Sequence, residues 1–429
     1  MLKQPKLKFG LRYMRLKTDR ADASVAIGFV EFVALAAALM SIQALAIDAM
    51  LPALPAIVRE LTVSNPNHAQ WIITIYIVGF GIGQLFWGVM ADRFGRRPVL
   101  ICGVALYVLA AVLCSLTDNF SVLLVWRLAH GLAAASVVVI RSVIRDLYSG
   151  RNMARVMSLT FVVFLTVPII APSLGQLILW VLPWRSIFIL CGIVGVVVWQ
   201  WAYLRLPETL HVEYRLTLNR LHILSAIRLV LNNRISVFYT LATTLMFGSL
   251  LAYVSTVQQI FSDVFHQANL MPGMFALCAI FMGMAAYVNS LIVGKLGMRH
   301  ISHAALIAFI AITAMHSLVA YFGFEKIWTF VLLQSFTMAT FSLSVSNFGA
   351  MAMEPLGKVA GIAVALQGFT TSAGGAVIGA LIGWEFGGTT LPLAMGAMCC
   401  GVLALGCVML AENGRLFSGH HETSLAVGA

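Results

Sequence analysis

The most regular feature of the sequence is a succession of long apolar runs separated by short polar stretches. A membrane-spanning helix needs about 20 mainly apolar residues. The pattern therefore predicts an all-α integral membrane protein with about twelve transmembrane helices. We place them at 30–57, 68–90, 98–116, 120–145, 154–181, 185–206, 235–257, 270–295, 300–322, 326–349, 357–384 and 389–411.

One long polar interruption, at 206–234, divides the spans into two groups of six. Adding 202 to Gly95 gives Gly297, and both begin similar loops, which hints at a duplicated half. Parallel repeats with a substrate site between them are a common plan for transporters. We predict a basic cytoplasmic tail (1–29), a six-helix half (30–206), a cytoplasmic linker (207–234), a second six-helix half (235–411) and a cytoplasmic tail (412–429).

Composition supports a membrane protein, since apolar types make up 61% of the chain and charged types only 10%. Soluble domains carry about 25% charged residues. The net charge of +11 would fit a nucleic-acid partner, but the basic residues concentrate in the tails and in alternate loops. Cytoplasmic loops of membrane proteins carry such an excess. We therefore predict a multi-pass protein of a bacterial-type inner membrane, with both termini cytoplasmic and no nucleic-acid partner.

The sequence contains no phosphate-binding loop, no HExxH or GxSxG tract and no CxxC pair. These patterns carry much of ATP-driven, hydrolytic and metal chemistry. We therefore expect a secondary active transporter rather than an enzyme, with no metal and no cofactor, driven by the proton gradient.

The loop after the second span reads Gly88-Val-Met-Ala-Asp92-Arg93-Phe-Gly95-Arg96-Arg97. Glycines let helix ends turn sharply and approach closely. The loop resembles, almost position for position, the signature loop of the major facilitator superfamily. The resemblance implies a conformational latch made by Gly88, Asp92, Arg93, Gly95, Arg96 and Arg97.

The fourth span places Arg127 within an apolar helix, with His130 and Gly131 following it. A charged residue inside a span is costly and is a functional residue by default. The RxxxG spacing resembles the superfamily's fourth-span motif, which is implicated there in proton coupling. The family usually has glutamine where this chain has His130. The histidine either relays protons or substitutes for the glutamine as a hydrogen-bonding group.

The fifth span contains Pro168, Ala171, Pro172 and Gly175. Prolines within a membrane helix free backbone carbonyls and permit bending. The tract resembles the motif of antiporters in the superfamily, with Ala171 where glycine is usual. The resemblance implies export, and the alternative is a packing kink that has no bearing on transport direction.

Of the acidic residues in the sequence, Asp48 alone falls well inside a predicted span, and the others fall in loops, tails or span ends. Removal from water favours the neutral form of a carboxyl group. A proton and a cationic substrate would then compete for this one site. The alternative is an aspartate that caps a helix break made by Pro52.

Several further tracts belong with Asp48, namely DxxLPxxP at 48–55, RDLY at 145–148, LPET at 206–209 and MEPLGKVAG at 353–361. Together they resemble the Bcr/CflA group of drug:proton antiporters over nearly the whole chain. The resemblance implies proton-coupled efflux of small amphipathic compounds by alternating access, by a monomer whose partners are its substrate, protons and the lipid bilayer. It also implies a substrate cavity between the halves, for which the candidates by chemistry are Gln43, Tyr239, Met246, Phe247, Gln334 and Asn347.

Three alternatives stay open at this point. A narrow-specificity metabolite exporter and a proton symporter would share the fold. A non-transporting membrane sensor would leave Asp48 and Arg127 without a purpose.

Overall fold

The computed structural model describes residues 27–211, 213 and 220–417. Most of the two predicted tails and part of the predicted linker lie outside this range. In the described part, twelve helices are long and apolar enough to cross a membrane, which confirms the predicted number and positions. The spans are Phe29–Glu60, Pro66–Phe94, Arg96–Ser115, Phe120–Leu147, Arg155–Leu179, Arg185–Arg205, Arg234–Val264, Ala268–Leu296, Met298–Tyr321, Ile327–Gly357, Ala360–Trp384 and Leu391–Ala411.

Three spans are interrupted helices, and one further span ends in an irregular turn. The first consists of Phe29–Asp48 and Leu54–Glu60, joined by a short 3-10 turn that contains Pro52. The fourth consists of the helices Phe120–Ala134 and Val139–Leu147, which another 3-10 turn joins. The seventh span ends in a π-helical turn, and the eleventh contains one in its middle. Such turns are frequent at functional sites.

The remaining helices run without interruption. They are Trp71–Phe94, Arg96–Ser115, Gly150–Leu179, Arg185–Arg205, Met271–Leu296, Met298–Tyr321, Ile327–Met353 and Leu391–Ala411, together with a linker helix, Arg220–Asn232, which precedes the seventh span.

Glycine allows the second and fourth spans to pack backbone against backbone. A Cβ atom added to Gly131 would overlap the carbonyl oxygen of Tyr76. Helix association in lipid relies on such close approach, because lipid tails are as apolar as the side chains. The glycine of the RxxxG tract therefore sets the distance between Arg127 and the second span.

The two halves repeat the same backbone turn before their third helices. Gly95 and Gly297 have φ angles of +107° and +78°, which other residues rarely adopt. Each glycine immediately precedes the third helix of its half, as the offset of 202 residues predicted.

A similar arrangement of charges lies beside these turns in the two halves. Arg96 lies 3.3 Å from Asp146 at the end of the fourth span, and its backbone N–H donates to Glu208 after the sixth span. In the second half, Arg299 lies 3.9 Å from Glu354, which follows the tenth-span helix, and 2.8 Å from Glu412 after the twelfth span. In each half, an arginine thus ties the end of one helix to the ends of two others.

We call the side of the bundle where the first span begins and the twelfth ends the terminal side, and the other the far side. One apolar core runs from the first half into the far-side part of the second half, where it includes Tyr253, Phe261 and Phe330. The terminal part of the second half has a separate core around Tyr239, Phe309 and Phe348. Apolar packing therefore joins the halves on the far side.

Three amide side chains strengthen this joint, and we call them the amide clasp: Asn67, Gln70 and Gln259. The Gln70 side chain donates to the Gln259 oxygen at 2.8 Å and to the Gly383 carbonyl at 3.0 Å. Gln259 in turn donates to the Asn67 oxygen at 3.0 Å.

Asn67 completes the clasp by donating to the carbonyls of Trp384 and Phe386, at 3.1 and 2.9 Å. The clasp thereby connects the second span with the seventh and with the end of the eleventh. Gln70 is 1% exposed, so water does not replace its bonds. Beside the clasp, the His68 ring stacks on Trp71 and also contacts Trp384, with centroids at 5.0 and 5.3 Å, and the two indole rings lie 6.0 Å apart.

We predict that Gln70→Leu opens the far side. The substitution keeps the volume but leaves the Gln259 oxygen without its donor, at a cost of about 1–3 kcal/mol. A cost near 1.4 kcal/mol shifts a two-state equilibrium about tenfold. Spin labels at the exposed loop positions Ser64 and Gly387, in a variant lacking the native cysteines, should report a larger population of long distances.

The matched control is Gln267→Leu, the same change at an exposed far-side residue outside the clasp. An identical distance distribution for Gln70→Leu and this control would contradict the role of the clasp.

Candidate functional site

The break in the first span leaves backbone groups without their usual helical partners. The Met50 N–H bonds to the Ile47 carbonyl at 3.2 Å instead of reaching back four residues to Ala46. Pro52 has no N–H to offer to the carbonyl of Asp48. Since lipid supplies no hydrogen-bond donors, such groups must find partners within the protein.

Side chains from three neighbouring spans donate to the first span just before its break. Arg127 donates to the Ala46 carbonyl at 3.3 Å. The hydroxyl of Tyr107 donates to Ile42 at 3.0 Å, and that of Tyr76 donates to the carbonyl of residue 43 at 3.3 Å. The second, third and fourth spans therefore hold the broken segment in place.

Arg127 is fully buried and makes two further hydrogen bonds. Its Nε donates to the Ile72 carbonyl at 2.9 Å, and one terminal nitrogen donates to His130 Nδ1 at 3.3 Å. The guanidinium carbon lies 4.3 Å from the centre of the Tyr76 ring and 5.7 Å from that of Phe188. No ion pair of Arg127 with a carboxylate occurs within the described ranges. Carbonyl dipoles and ring faces, rather than an acid, surround its charge.

Asp48 is the last residue of the first helix and is 6% exposed. Its carboxyl group has no hydrogen-bond or ion-pair partner in the described part of the chain. The other buried acid, Glu412, differs because it accepts from Tyr239 at 2.7 Å and from Arg299 at 2.8 Å. Buried carboxylates are normally paired, so Asp48 is the exception that calls for a functional explanation.

The predicted antiporter motif packs against the same break. A Cβ atom on Gly175 would overlap the carbonyl oxygen of Ala49, the residue next to Asp48. Ala171, one helical turn earlier, is also buried. Pro168 and Pro172 lie inside the Gly150–Leu179 helix, which continues across both prolines. The fifth span thus contacts the segment that carries Asp48 through Gly175.

His130 lies behind Arg127 in a pocket of aromatic rings. Its ring centre is 4.3 Å from that of Tyr107 and 5.3 Å from that of Tyr76. Because a guanidinium only donates, His130 Nδ1 accepts from Arg127 and the neutral ring carries its proton on Nε2. Nε2 is buried and has no partner among the described residues.

The predicted latch residues form a different cluster, on the terminal side. Asp92 pairs with Arg96 at 2.5 Å, and the Arg97 side chain donates to the Tyr203 carbonyl at 2.7 Å. Arg93 lies over the Phe94 ring, at 5.1 Å from its centre. These contacts, together with those of Arg96 to Asp146 and Glu208, all lie within the first half and the start of the linker. A Cβ atom added to Gly88 would have no atom of another described helix within 4 Å, so a side chain would fit there.

The predicted cavity residues do not gather in one place. Tyr239 and Met246 belong to the terminal core of the second half, and the Tyr239 hydroxyl also contacts His303 Nε2 at 3.1 Å. Asn347 donates to the Asn289 side chain at 2.9 Å within the same half.

The other three candidates lie in different surroundings. Gln43 is half-buried, five residues before Asp48 on the first span. Phe247 is half-buried and packs against both apolar cores. Gln334 is 4% exposed on the tenth span.

The sequence interpretation missed the residues that hold the first span and those that close the far side. Tyr76 and Tyr107 lie within apolar runs and look like ordinary packing residues. Gln70 and Gln259 lie at span ends, where polar residues are common. A search for polar side chains one turn inside a span end would have found both glutamines.

We predict that Arg127→Lys destabilises the protein. An ammonium on a flexible chain cannot reproduce the planar fork that serves Ile72, Ala46 and His130 together. One buried carbonyl left unpaired costs about 1–3 kcal/mol. Thermal unfolding in detergent, followed by intrinsic fluorescence, should show a lower midpoint than for the parent protein. Arg141→Lys, at an exposed position on the same span, is the control and should leave the midpoint unchanged. Equal midpoints for the two variants would contradict the proposed bonding of Arg127.

Comparison with known proteins identifies the family. Residues 36–380 match the family model of the Major Facilitator Superfamily. The chain is 31% identical over 361 residues to an uncharacterized MFS-type transporter, YdgK, of Bacillus subtilis, covering 82% of this chain and 87% of that one. It is 30% identical to a bicyclomycin resistance protein homolog of Haemophilus influenzae, covering 84% and 90%. It is also 37% identical to the multidrug resistance protein MdtL of Escherichia coli over 175 residues, 40% of this chain and 44% of that one.

Solved structures agree on the fold. A peptide transporter bound to sulfate superposes with a TM-score of 0.73 at 15% identity, covering 93% of this chain and 99% of that one. The xylose transporter XylE of Escherichia coli, in a partially occluded inward-open conformation, gives 0.71 at 12% identity, covering 91% and 99%. The relatives confirm the resemblance to the drug antiporters that the motifs predicted. The chain belongs to the major facilitator superfamily of membrane transporters.

Proposed function

We propose that this transporter exports small amphipathic compounds in exchange for protons. The observation that carries the proposal is Asp48, a buried carboxyl group that has no partner among the described residues, at a helix break that other spans hold in place. Such a group is free to bind a proton or a cationic substrate. Two of the relatives are named for resistance to bicyclomycin and to multiple drugs, which supports small drug-like compounds as the substrates.

The joint between the halves supports an alternating-access mechanism. The far side is closed by the amide clasp and by the continuous apolar core. The latch loop contacts its own half, and a Cβ atom added to Gly88 would meet no other helix within 4 Å among the described residues. This is the arrangement expected of a transporter open towards the terminal side. Because the basic residues concentrate on that side, we assign it to the cytoplasm of a bacterial-type cell and both termini with it.

In the proposed cycle, substrate enters from the cytoplasm while Asp48 gives up a proton. The clasp then separates, and the latch residues Asp92, Arg93, Arg96 and Arg97 contact the second half and close the cytoplasmic side. The substrate leaves to the outside, and a proton from outside then binds Asp48 and returns the transporter to the present state. Each step changes the occupancy of one carboxyl group, which lets a single acid couple the two fluxes.

Arg127 and His130 have supporting roles in this proposal. Arg127 fixes the segment that carries Asp48 through the Ala46 carbonyl. The geometry of His130 favours the hydrogen-bonding alternative, since one ring nitrogen accepts from Arg127 and the other is enclosed. The fifth span, through Gly175, would allow the segment to shift without losing contact.

For the substrate, we propose a cavity near the joint, with Gln43, Phe247 and Gln334 as its nearest candidates. Tyr239, Met246 and Asn347 are engaged within the second half, so they would act by shaping its core. We propose a monomer that needs no cofactor, because each half contributes to one central site.

We predict that Asp48→Asn abolishes proton-coupled efflux. The amide keeps the shape of the side chain but does not exchange a proton in the physiological range. Inverted membrane vesicles with an acidic interior and a pH-sensitive dye should show proton release when a substrate is added to the parent protein. A panel of antibiotics, cationic dyes and amino-acid derivatives would also define the substrate class.

The control is Asp263→Asn, at an exposed far-side acid, which should retain full proton release. Normal release from the Asp48→Asn variant would refute the assignment. Proton movement in the opposite direction for a substrate of the parent protein would indicate a symporter instead.

A further inference from the structure

The linker helix, Arg220–Asn232, does more than connect the two halves. It packs against the second half through Ala226 and Val230, which are buried. Val230 forms a small apolar cluster with Leu356 and Ala363, at the junction of the tenth and eleventh spans. The helix is therefore fixed in place at the terminal side of the bundle.

A second apolar face of this helix is largely exposed in the described structure, although Ile227 within it is half-buried. Leu224, Ile227 and Leu231 follow each other at intervals of three and four residues, so they form one stripe along the helix. Leu224 and Leu231 are 61% and 60% exposed, and Leu229 on the other flank is 50% exposed. Helices in contact with water rarely present several large apolar side chains together.

The place of the helix in the chain puts this stripe next to the start of a membrane span. The seventh span begins at Arg234, and Asn233 is the N-cap of its helix. The linker helix ends at Asn232, so its last turn lies at the level where the polypeptide enters the hydrocarbon. An amphipathic helix at that level lies in the interfacial plane with its apolar face towards the acyl chains.

Along the sequence, the charges on the linker helix and on both of its flanks have one sign. Between Glu213 and Asp263, the sequence contains no acidic residue, whereas Arg215, Arg220, Arg228 and Arg234 are basic. Arg228 is exposed and lies four residues before Asn232, on a polar strip beside the leucines. Arginine near a membrane surface attracts anionic lipid headgroups, at about 1 kcal/mol for each residue.

We propose that the linker helix is an interfacial element that binds anionic lipid headgroups through Arg228 and inserts Leu224, Ile227 and Leu231 among the acyl chains. Because the helix packs on the tenth and eleventh spans, lipid binding would fix the terminal end of the second half relative to the bilayer. The lipid composition of the membrane would then influence the movement of that half.

The test measures the position of the helix and does not depend on transport. A spin label is placed at Leu224 or at Asn232 of the full chain, in a variant lacking the native cysteines. The protein is reconstituted in phosphatidylcholine vesicles, with or without phosphatidylglycerol. Collisions with oxygen, which enriches in hydrocarbon, are compared with collisions with a water-soluble nickel chelate.

We expect the label at 224 to meet oxygen preferentially and the label at 232 to meet the nickel chelate. Phosphatidylglycerol should increase the ratio of immersed to water-exposed label at position 224. Arg228→Gln should reduce that increase about fivefold, because a factor of about five corresponds to about 1 kcal/mol. Arg59→Gln, at an exposed far-side arginine, should leave it unchanged.

Two results would overturn the proposal. Water exposure of position 224 in both kinds of vesicle would refute insertion. Equal immersion in the two kinds of vesicle would refute recognition of anionic headgroups. Neither result bears on proton coupling, since Asp48 and its surroundings are unchanged in these variants.

Discussion

The hydrogen bond from Arg127 to the Ala46 carbonyl is the contact on which the proposed site depends. The first span breaks after Asp48, and a break in lipid exposes carbonyls that only the protein can satisfy. Arg127 serves one of them, and Tyr76 and Tyr107 donate to two carbonyls about one turn earlier in the helix. The end of the helix that carries the unpaired acid is therefore held by three neighbouring spans just before the break.

The same arrangement explains why a buried arginine and a buried aspartate coexist without pairing. An ion pair would neutralise both groups and leave neither available for exchange with solvent. Here the arginine charge is distributed over carbonyls and aromatic faces, so that the carboxyl group keeps its binding capacity. Gly131 and Gly175 make this possible, because each lets a neighbouring backbone come close enough to support the segment.

Much of the fold was predictable from the sequence, because span length and charge asymmetry follow directly from the physics of the bilayer. The motif glycines and Asp48 were also visible, since each stands out against an apolar background. The amide clasp was not, because Gln70 and Gln259 are 189 positions apart and meet only once the halves assemble. Tyr239 was assigned to the cavity by its chemistry, but its partners Glu412 and His303 come from distant spans. Pairings between distant helices depend on packing, which composition does not encode.

The chemistry of the amide clasp has a consequence for how the membrane voltage acts on this transporter. Asn67, Gln70 and Gln259 and their backbone acceptors carry no net charge. An elementary charge that crosses 100 mV gains or loses about 2.3 kcal/mol, but separating neutral amides moves no charge through that field. Breaking the clasp is therefore an electrically silent event. Any dependence of turnover on voltage has to arise elsewhere, where a charged carboxylate, a proton or an ionised substrate changes its depth in the membrane.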